Sequence, residues 1–566
     1  MKKSIIVCIF LFIILLKITV AEDPDQIISN SKDWRDVYSV MIYGSLIGKP
    51  SSFLVSDRHG TLILNSISKG SHIWSISSRK NPYIVGYRSL IESRGYTAEE
   101  FSYDNVNLEL AKELGLTNYI IVDDSYGYNA ISVAPYAVVS DSYVLFVDRD
   151  NVREIDSFLG DVGVYSMLIY GYVDREVKER FEKYNPEYIN FDGDRFANNI
   201  AIVEKYQETQ HARQAILTNG EFIEKEIMSG VEPVIFIGTN NVPDIVREYI
   251  QDSDIQIGIL IGNELVGTAT FIRRQIGISV FVKFAQGARA PRGAISQVEA
   301  LDMFYLPIYI LNLEIDSVKY NKLTNELEVT YRNTEEQAVF FKGTYTVTGS
   351  DNSKQTVGDV DAIFIDGNEL KTVTYPLEAL PEGDIIVDVF TIYGESRNSL
   401  EKEIRETFCP SCARQVQIIE VIDNCKLSVS GITYDKRRHN FYVRTENEGD
   451  VDCFVDIELI DVIIAGERNT LSLEDIAEIK AGKTEDLRIR ARLEEEDIAD
   501  NEYIKLKAFY GERKDRLVKV FEGEFLLVLK GIDILFWSLL IVIIILIALI
   551  IWRKYKNRKK RHSYGF

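Results

Sequence analysis

Two hydrophobic patterns divide the chain. Up to about residue 300, short apolar runs that close on Gly or a polar residue alternate with stretches whose apolar positions recur every three or four residues. That alternation predicts βαβ units built on parallel sheets. From about 308 the helical period fades and strict alternation takes over, as in Glu326-Leu327-Glu328-Val329-Thr330-Tyr331. A period of two predicts half-buried strands of antiparallel sheets.

Three apolar runs ending in Gly mark an internal repeat in the first part: Tyr83–Gly86, Leu168–Gly171 and Ile235–Gly238. Each is preceded by a strand-like run closing on a polar residue, namely Phe53–Asp57, Tyr119–Asp123 and Ala215–Asn219. Each is followed by a further strand and a helix-like stretch, Leu108–Leu114, Ala197–Tyr206 and Glu264–Arg274. The reading is three related α/β units over about 36–115, 116–208 and 209–285, within a head spanning 36–300.

The middle unit carries the most letters of the pattern. It runs Asp123-Asp124-Ser125-Tyr126-Gly127-Tyr128-Asn129-Ala130-Ile131, a small-residue helix with Pro135, the strand Tyr143–Val147, the helix Val152–Leu159, the strand Val164–Gly171 and then Gly193-Asp194-Arg195-Phe196. This order resembles the cell-wall-binding repeat type 2 family, with Asn129 and Phe196 standing where the family has Asp and Tyr. The resemblance covers about 250 residues and is strongest over 119–206. It implies three Rossmann-like units in a pseudo-threefold arrangement and non-covalent association with envelope polymers.

A second repeat lies in the β-patterned part. Val318–Lys322 and Glu326–Thr334 correspond to Ile432–Lys436 and Asn440–Asn447, and Ile392-Tyr393-Gly394-Glu395 corresponds to Phe509-Tyr510-Gly511-Glu512. This predicts two tandem β-sandwiches, over 308–400 and 416–529, joined by a cysteine-containing linker at 401–415. At the level of pattern they are similar to the CARDB-like and Ig-like stalk domains of prokaryotic surface proteins. Cys409, Cys412, Cys425 and Cys453 suit two disulfides in any of three pairings. A four-cysteine zinc site is the competing reading, although the spacing lacks a second close pair.

Both ends are basic and carry an apolar run. Lys2-Lys3, the run Ile5–Leu16 and Thr19-Val20-Ala21 predict a secretory signal peptide over 1–21, which would remove Cys8. The uncharged stretch 534–552, followed by the basic tail 553–566, predicts a transmembrane helix with the N-terminus outside and the C-terminus in the cytoplasm. The fold class expected is therefore multidomain: an α/β head of three Rossmann-like repeats, two tandem β-sandwiches, and one C-terminal transmembrane helix. The localisation expected is the cell membrane, with an extracellular ectodomain.

Charge and composition sharpen this. With 46% hydrophobic residues and only 12 Pro, wholly disordered or collagen-like chains are excluded. The net charge of the whole chain is −22, and the basic ends, +3 over 1–21 and +7 over 553–566, leave −32 on the region between them, which would repel nucleic acid. The partners expected are the membrane and an envelope polymer or surface-layer protein. No G-x-S-x-G, H-E-x-x-H, P-loop, EF-hand or dinucleotide glycine motif occurs, and only five His are present, so no enzyme is expected.

The candidate ligand-binding residues are Asp57, Asp123, Asp124 and Asn219, at the ends of the expected strands where open α/β sheets bind ligands. The alternative is that they cap helices and make turns. Arg273 and Arg274 join them, because 265–298 holds Arg273, Arg274, Lys283, Arg289 and Arg292 and no acid, a patch suited to an anionic polymer. No cofactor is implied. The acidic ectodomain suits bridging divalent cations, but no motif assigns a metal site. The leading functional reading is an envelope protein whose head binds a cell-wall or surface-layer component, tethering membrane to envelope. The alternatives are a receptor or adhesin, and an extracellular hydrolase using Asp123 and Asp124.

Overall fold

The computed structural model describes residues 23–262, 272–283, 302–530 and 545–552, together with the isolated positions Leu265 and Ala269. Its first part holds three four-stranded parallel sheets. The first pairs Ser51–Phe53, Gln26–Asn30, His72–Ser78 and Thr97–Tyr103 in that spatial order. The second pairs Tyr143–Phe146, Asn118–Val122, Ser166–Tyr170 and Glu187–Ile189. The third pairs Val234–Phe236, Gln214–Thr218, Ile257–Ile261 and Ser279–Lys283.

In each sheet the unit's first strand lies inside, flanked by its second and third. The chain reverses its direction of winding there, so the carboxyl end of the first strand opens on a crevice. Ser31, Asp123 and Asn219 immediately follow the three first strands. Asp57 does not share this position, because Ser51–Phe53 is the second strand of its sheet.

One asparagine locks each unit to the next. Asn107, on the helix Val106–Leu114, donates to Val144 O and accepts from Phe146 N on the second sheet's edge strand, and also donates to Ser39 Oγ. Asn199, on the helix Arg195–Thr209, repeats all three contacts with Val234 O, Phe236 N and Ser132 Oγ. A buried carboxamide that satisfies both a carbonyl and an N–H on an exposed sheet edge removes the cost of leaving those groups dry and unpaired. Apolar residues from all three units, from Ile27 to Leu306, merge into one core, while the other side of the first unit keeps a smaller cluster of its own around Ile28, Leu54 and Tyr87.

The remainder is β-rich. In the first module, Leu370–Pro376, Glu326–Asn333 and Leu313–Asn321 form an antiparallel sheet that also takes Gln417–Ile419 in parallel. Opposite it, Lys354–Gly358, Val339–Thr348, Ile386–Gly394 and Lys402–Phe408 pair antiparallel. The second module repeats this: Leu427–Asp435 and Asn440–Asn447 carry a bulge at Val429/Gly431, matching the bulge at Ile315/Ser317. Its last strand, Lys519–Leu529, pairs with both Tyr503–Gly511 and Leu427–Asp435.

The repeat extends to side chains. Asn333 donates to Gln337 O and Asp366 O, and Asn447 donates to Val451 O and Ile479 O. Among the described residues two disulfides are present, Cys409–Cys412 and Cys425–Cys453. The second lies in the core of its module, where the equivalent position of the first module holds Leu311 and Val339.

The α/β part rests on both modules. Arg175 pairs with Asp497 at 2.8 Å, Lys178 with Glu467 at 3.2 Å, and Asn241 donates to Leu400 O at 2.6 Å. Between the modules, Lys371 lies against Asp456 and Glu458, and Arg516 against Glu328.

The expected fold class needs one correction. Of the stretch 534–552, only 545–552 is described, as helix, and residues 534–544 lie outside the described residues. No helix among the described residues is long and apolar enough to cross a membrane. The described residues form Rossmann-like parallel sheets followed by a β-rich region, and the expected span is not among their helices. The expected signal peptide, 1–21, and the tail, 553–566, lie outside the described residues.

Candidate functional site

A cleft of about 890 Å³ opens where the carboxyl ends of the second sheet face both β modules. Asp123 and Tyr126 follow the sheet's first strand, Tyr172 follows its third, and Phe191 and Asp192 follow its fourth. Arg397 of the first module and Arg468 of the second close the opposite wall. The volume falls in the usual range for ligand clefts, roughly 300–1,000 Å³.

The loops that hold these residues are fixed by side-chain bonds. Asp123 accepts from Ser125 N at 2.8 Å, an Asx turn that sets Tyr126 at the rim. Asn198 accepts from Phe191 N at 2.7 Å, and Asn190 accepts from Gly193 N at 3.0 Å, while Asp192 takes a φ of +50°. Asp192 in turn accepts from Arg468 N at 3.1 Å, joining the loop to the second module. Tyr126, Tyr172 and Phe191 are 41%, 50% and 55% exposed, large apolar faces left open in a polar cleft.

Burial raises the Asp123 carboxyl above the ordinary value, assisted by the nearby charges of Asp124 and Asp174 and opposed by the bonds from Ser125. Arg397 is held by Asp461 at 3.0 Å. The cleft thus offers aromatic faces, carboxylate acceptors and guanidinium donors in one volume, which suits polar, ring-bearing ligands.

The floor is built from Gly193-Asp194-Arg195-Phe196. Asp194 caps its helix by accepting from Phe196 N and Ala197 N, and also accepts from Ser396 Oγ at 2.8 Å and from Ser399 Oγ. Arg195 donates to Glu401 and stands 3.4 Å from Glu395, with its guanidinium 4.2 Å from the Tyr128 ring centre and 5.4 Å from that of Tyr309. Burial pushes Glu395 up to about 8. These residues dock the α/β part onto the first module.

The sequence candidates separate. Asp123 lines the cleft, but Asp124 is tied to Arg35 of the first unit at 2.5 Å. Asp57 is exposed and accepts from Arg58 N at 2.9 Å, in a turn of the first unit. Asn219 is buried and accepts from Glu221 N at 3.4 Å. Arg273 is exposed and Lys283 pairs with Glu226, whereas the Arg274 side chain and Arg289 and Arg292 lie outside the described residues.

Among the described residues no group of three or more His, Cys, Asp or Glu is placed to hold a metal ion. The four-cysteine zinc reading gives way to the two disulfides. Tyr172, Phe191, Asp192, Arg397 and Arg468 were not among the candidates. The three exposed aromatics are the signal that marks them, but it shows only once the loops are placed together.

No protein-family model matches the chain, and no curated protein matches it. Among solved structures, red sea bream transglutaminase is similar over 39% of this chain at 10% identity and a TM-score of 0.14, and the chain spans 32% of that one. The periplasmic chaperone SfaE is similar over 39% of this chain and all of its own at 11% identity and a TM-score of 0.13. A DUF4785 family protein of Legionella pneumophila is similar over 38% of this chain and 56% of its own at 13% identity and a TM-score of 0.15. Likenesses of this size carry no argument about function.

Proposed function

We propose that the protein works outside the cytoplasm and binds a cell-wall or surface-layer component non-covalently through its α/β part. The observation that carries the reading is the cleft at the carboxyl ends of the middle unit. There Tyr126, Tyr172 and Phe191 stand open beside Asp123, Asp192 and Arg468. Aromatic faces cover the apolar faces of ring-bearing polymers, and carboxylates accept from their hydroxyls. The two disulfides agree with an oxidising compartment. The resemblance of residues 119–206 to cell-wall-binding repeats points the same way.

The test is co-sedimentation of the purified full chain with stripped envelopes of the host, beside a Tyr172→Ala/Phe191→Ala variant. Bound wild type and a variant left in the supernatant support the cleft. Equal sedimentation of both removes it as the binding surface, and the absence of any binding favours a receptor for a soluble or cellular ligand.

A further inference from the structure

The two disulfides sit in opposite surroundings. Cys425 and Cys453 are 1% and 0% exposed and lie in the core of the second module, 28 positions apart. Cys409 and Cys412 are three positions apart, half-buried, with Pro410 and Ser411 between them exposed to solvent. They form a turn after the edge strand Lys402–Phe408, before the chain crosses to the opposite sheet at Gln417–Ile419.

That turn is held without its sulfur bridge. Cys412 N donates to Cys409 O at 3.0 Å, Cys409 N donates to Arg414 O at 3.2 Å, and Gln415 Nε2 donates to Pro410 O at 2.8 Å. Arg414 fixes the returning chain by pairing with Glu406 at 2.8 Å, donating to Asp316 O at 2.8 Å and covering the Phe408 ring at 5.0 Å. Phe408 is itself buried in the module core. A bridge across so short a loop removes little freedom from the unfolded chain. With the bond open, the same contacts would keep the two sulfurs facing each other at a high effective concentration, so closure is as ready as opening.

We propose that Cys409–Cys412 is a surface thiol–disulfide exchange site that reacts reversibly with thiols, while Cys425–Cys453 is a fixed structural bridge. A thiolate RS⁻ attacks one sulfur of the pair. The Cys–Cys bond breaks, an R–S–S–Cys bond forms, and the electron pair leaves on the other cysteine, which takes a proton. A second thiol displaces the first cysteine in the same way, so two RSH are oxidised to RSSR as the pair is reduced to two thiols. The reverse sequence with RSSR restores it. Accessibility of the sulfurs selects which of the two bridges reacts.

The experiment equilibrates the folded full chain in graded mixtures of reduced and oxidised glutathione, quenches with N-ethylmaleimide and maps the label by peptide mass spectrometry. At the mixture where Cys409 and Cys412 are half labelled, they carry about tenfold or more label than Cys425 and Cys453, and returning the sample to oxidised glutathione erases it. A Cys409→Ser variant traps glutathione on Cys412. A Cys409→Ser/Cys412→Ser variant melts within about 2 °C of wild type, showing that the bridge is not needed for the fold. Labelling of all four cysteines together, or no labelling at 409 and 412 before the chain unfolds, overturns the proposal. A large loss of melting temperature in the double variant also overturns it, since the bridge would then be structural.

Discussion

Replacing Arg195 by Met keeps the apolar stem and removes the charge that joins the α/β part to the first module. The side chain is 7% exposed and its two carboxylate neighbours, Glu395 and Glu401, are 9% and 5% exposed. Removing one partner of a buried ion pair generally costs about 3–5 kcal/mol, because the other charge is left in a dry site. Burial already raises Glu395 to about 8, so near neutrality the orphaned charge is that of Glu401 and the ion-pair loss falls towards ~3 kcal/mol. The guanidinium 4.2 Å from the Tyr128 ring adds ~1 kcal/mol. A loss of about 4 kcal/mol lowers the melting temperature of the docked unit by roughly 8 °C or more. Calorimetry of the full chain at neutral pH reads this as an earlier transition separating from the remainder. A second variant, Arg195→Met/Glu401→Gln, removes the orphaned charge and recovers at least part of the loss. If Arg195→Met melts within about 1 °C of wild type, or the double variant is no better than the single, the clamp does not hold the two parts together.

Other outcomes follow from single features. Glu395 and Glu369, both raised to about 8 by burial, hold protons in the folded chain that the unfolded chain releases near 4.5. Their contribution is complete below pH 4.5 and is lost as pH rises to about 8, so Glu395→Gln flattens a pH series of denaturant melts in that window. Asn199→Leu strands Val234 O and Phe236 N in the core and costs about 2–4 kcal/mol in the same melts, with the third unit labelled first in hydrogen exchange. Replacing Cys425 and Cys453 by Ala opens a bridge between positions 28 apart and costs about 3–4 kcal/mol by the loop-entropy estimate, read as a lower denaturant midpoint.

The middle unit was the most legible stretch. Its strands fall at Asn118–Val122, Tyr143–Phe146 and Ser166–Tyr170, close to the runs marked by β-branched residues, because a parallel sheet buried on both faces writes itself as continuous apolar sequence. The first unit hid the same fold. Its strand His72–Ser78 reads as polar, yet Ser75, Ser77 and Ser78 are buried, with Ser77 bonded to Asn30 and Glu100. The apolar run Tyr83–Gly86, taken for a strand, is instead the approach to the helix Tyr87–Ser93, with Val85 89% exposed. That misreading shifted the alignment by one strand and placed Asp57 where Ser31 belongs.

The cleft was half legible. Asp123 stood out as a polar residue closing a strand, but Arg397 and Arg468 reach the site only through the packing of modules more than two hundred residues away. The docking role of Arg195 was hidden for the same reason, since Glu401 lies 206 positions along the chain. Local sequence shows a capped helix at Asp194; what the cap also holds depends on tertiary structure.

We propose that the cleft beside the middle unit binds an envelope component. Co-sedimentation of the full chain with stripped host envelopes tests it most directly. The wild type should pellet at low salt, and Tyr172→Ala/Phe191→Ala should release it to the supernatant while leaving the melting temperature unchanged. A wild type that stays in the supernatant, or a variant that pellets as fully, contradicts the claim.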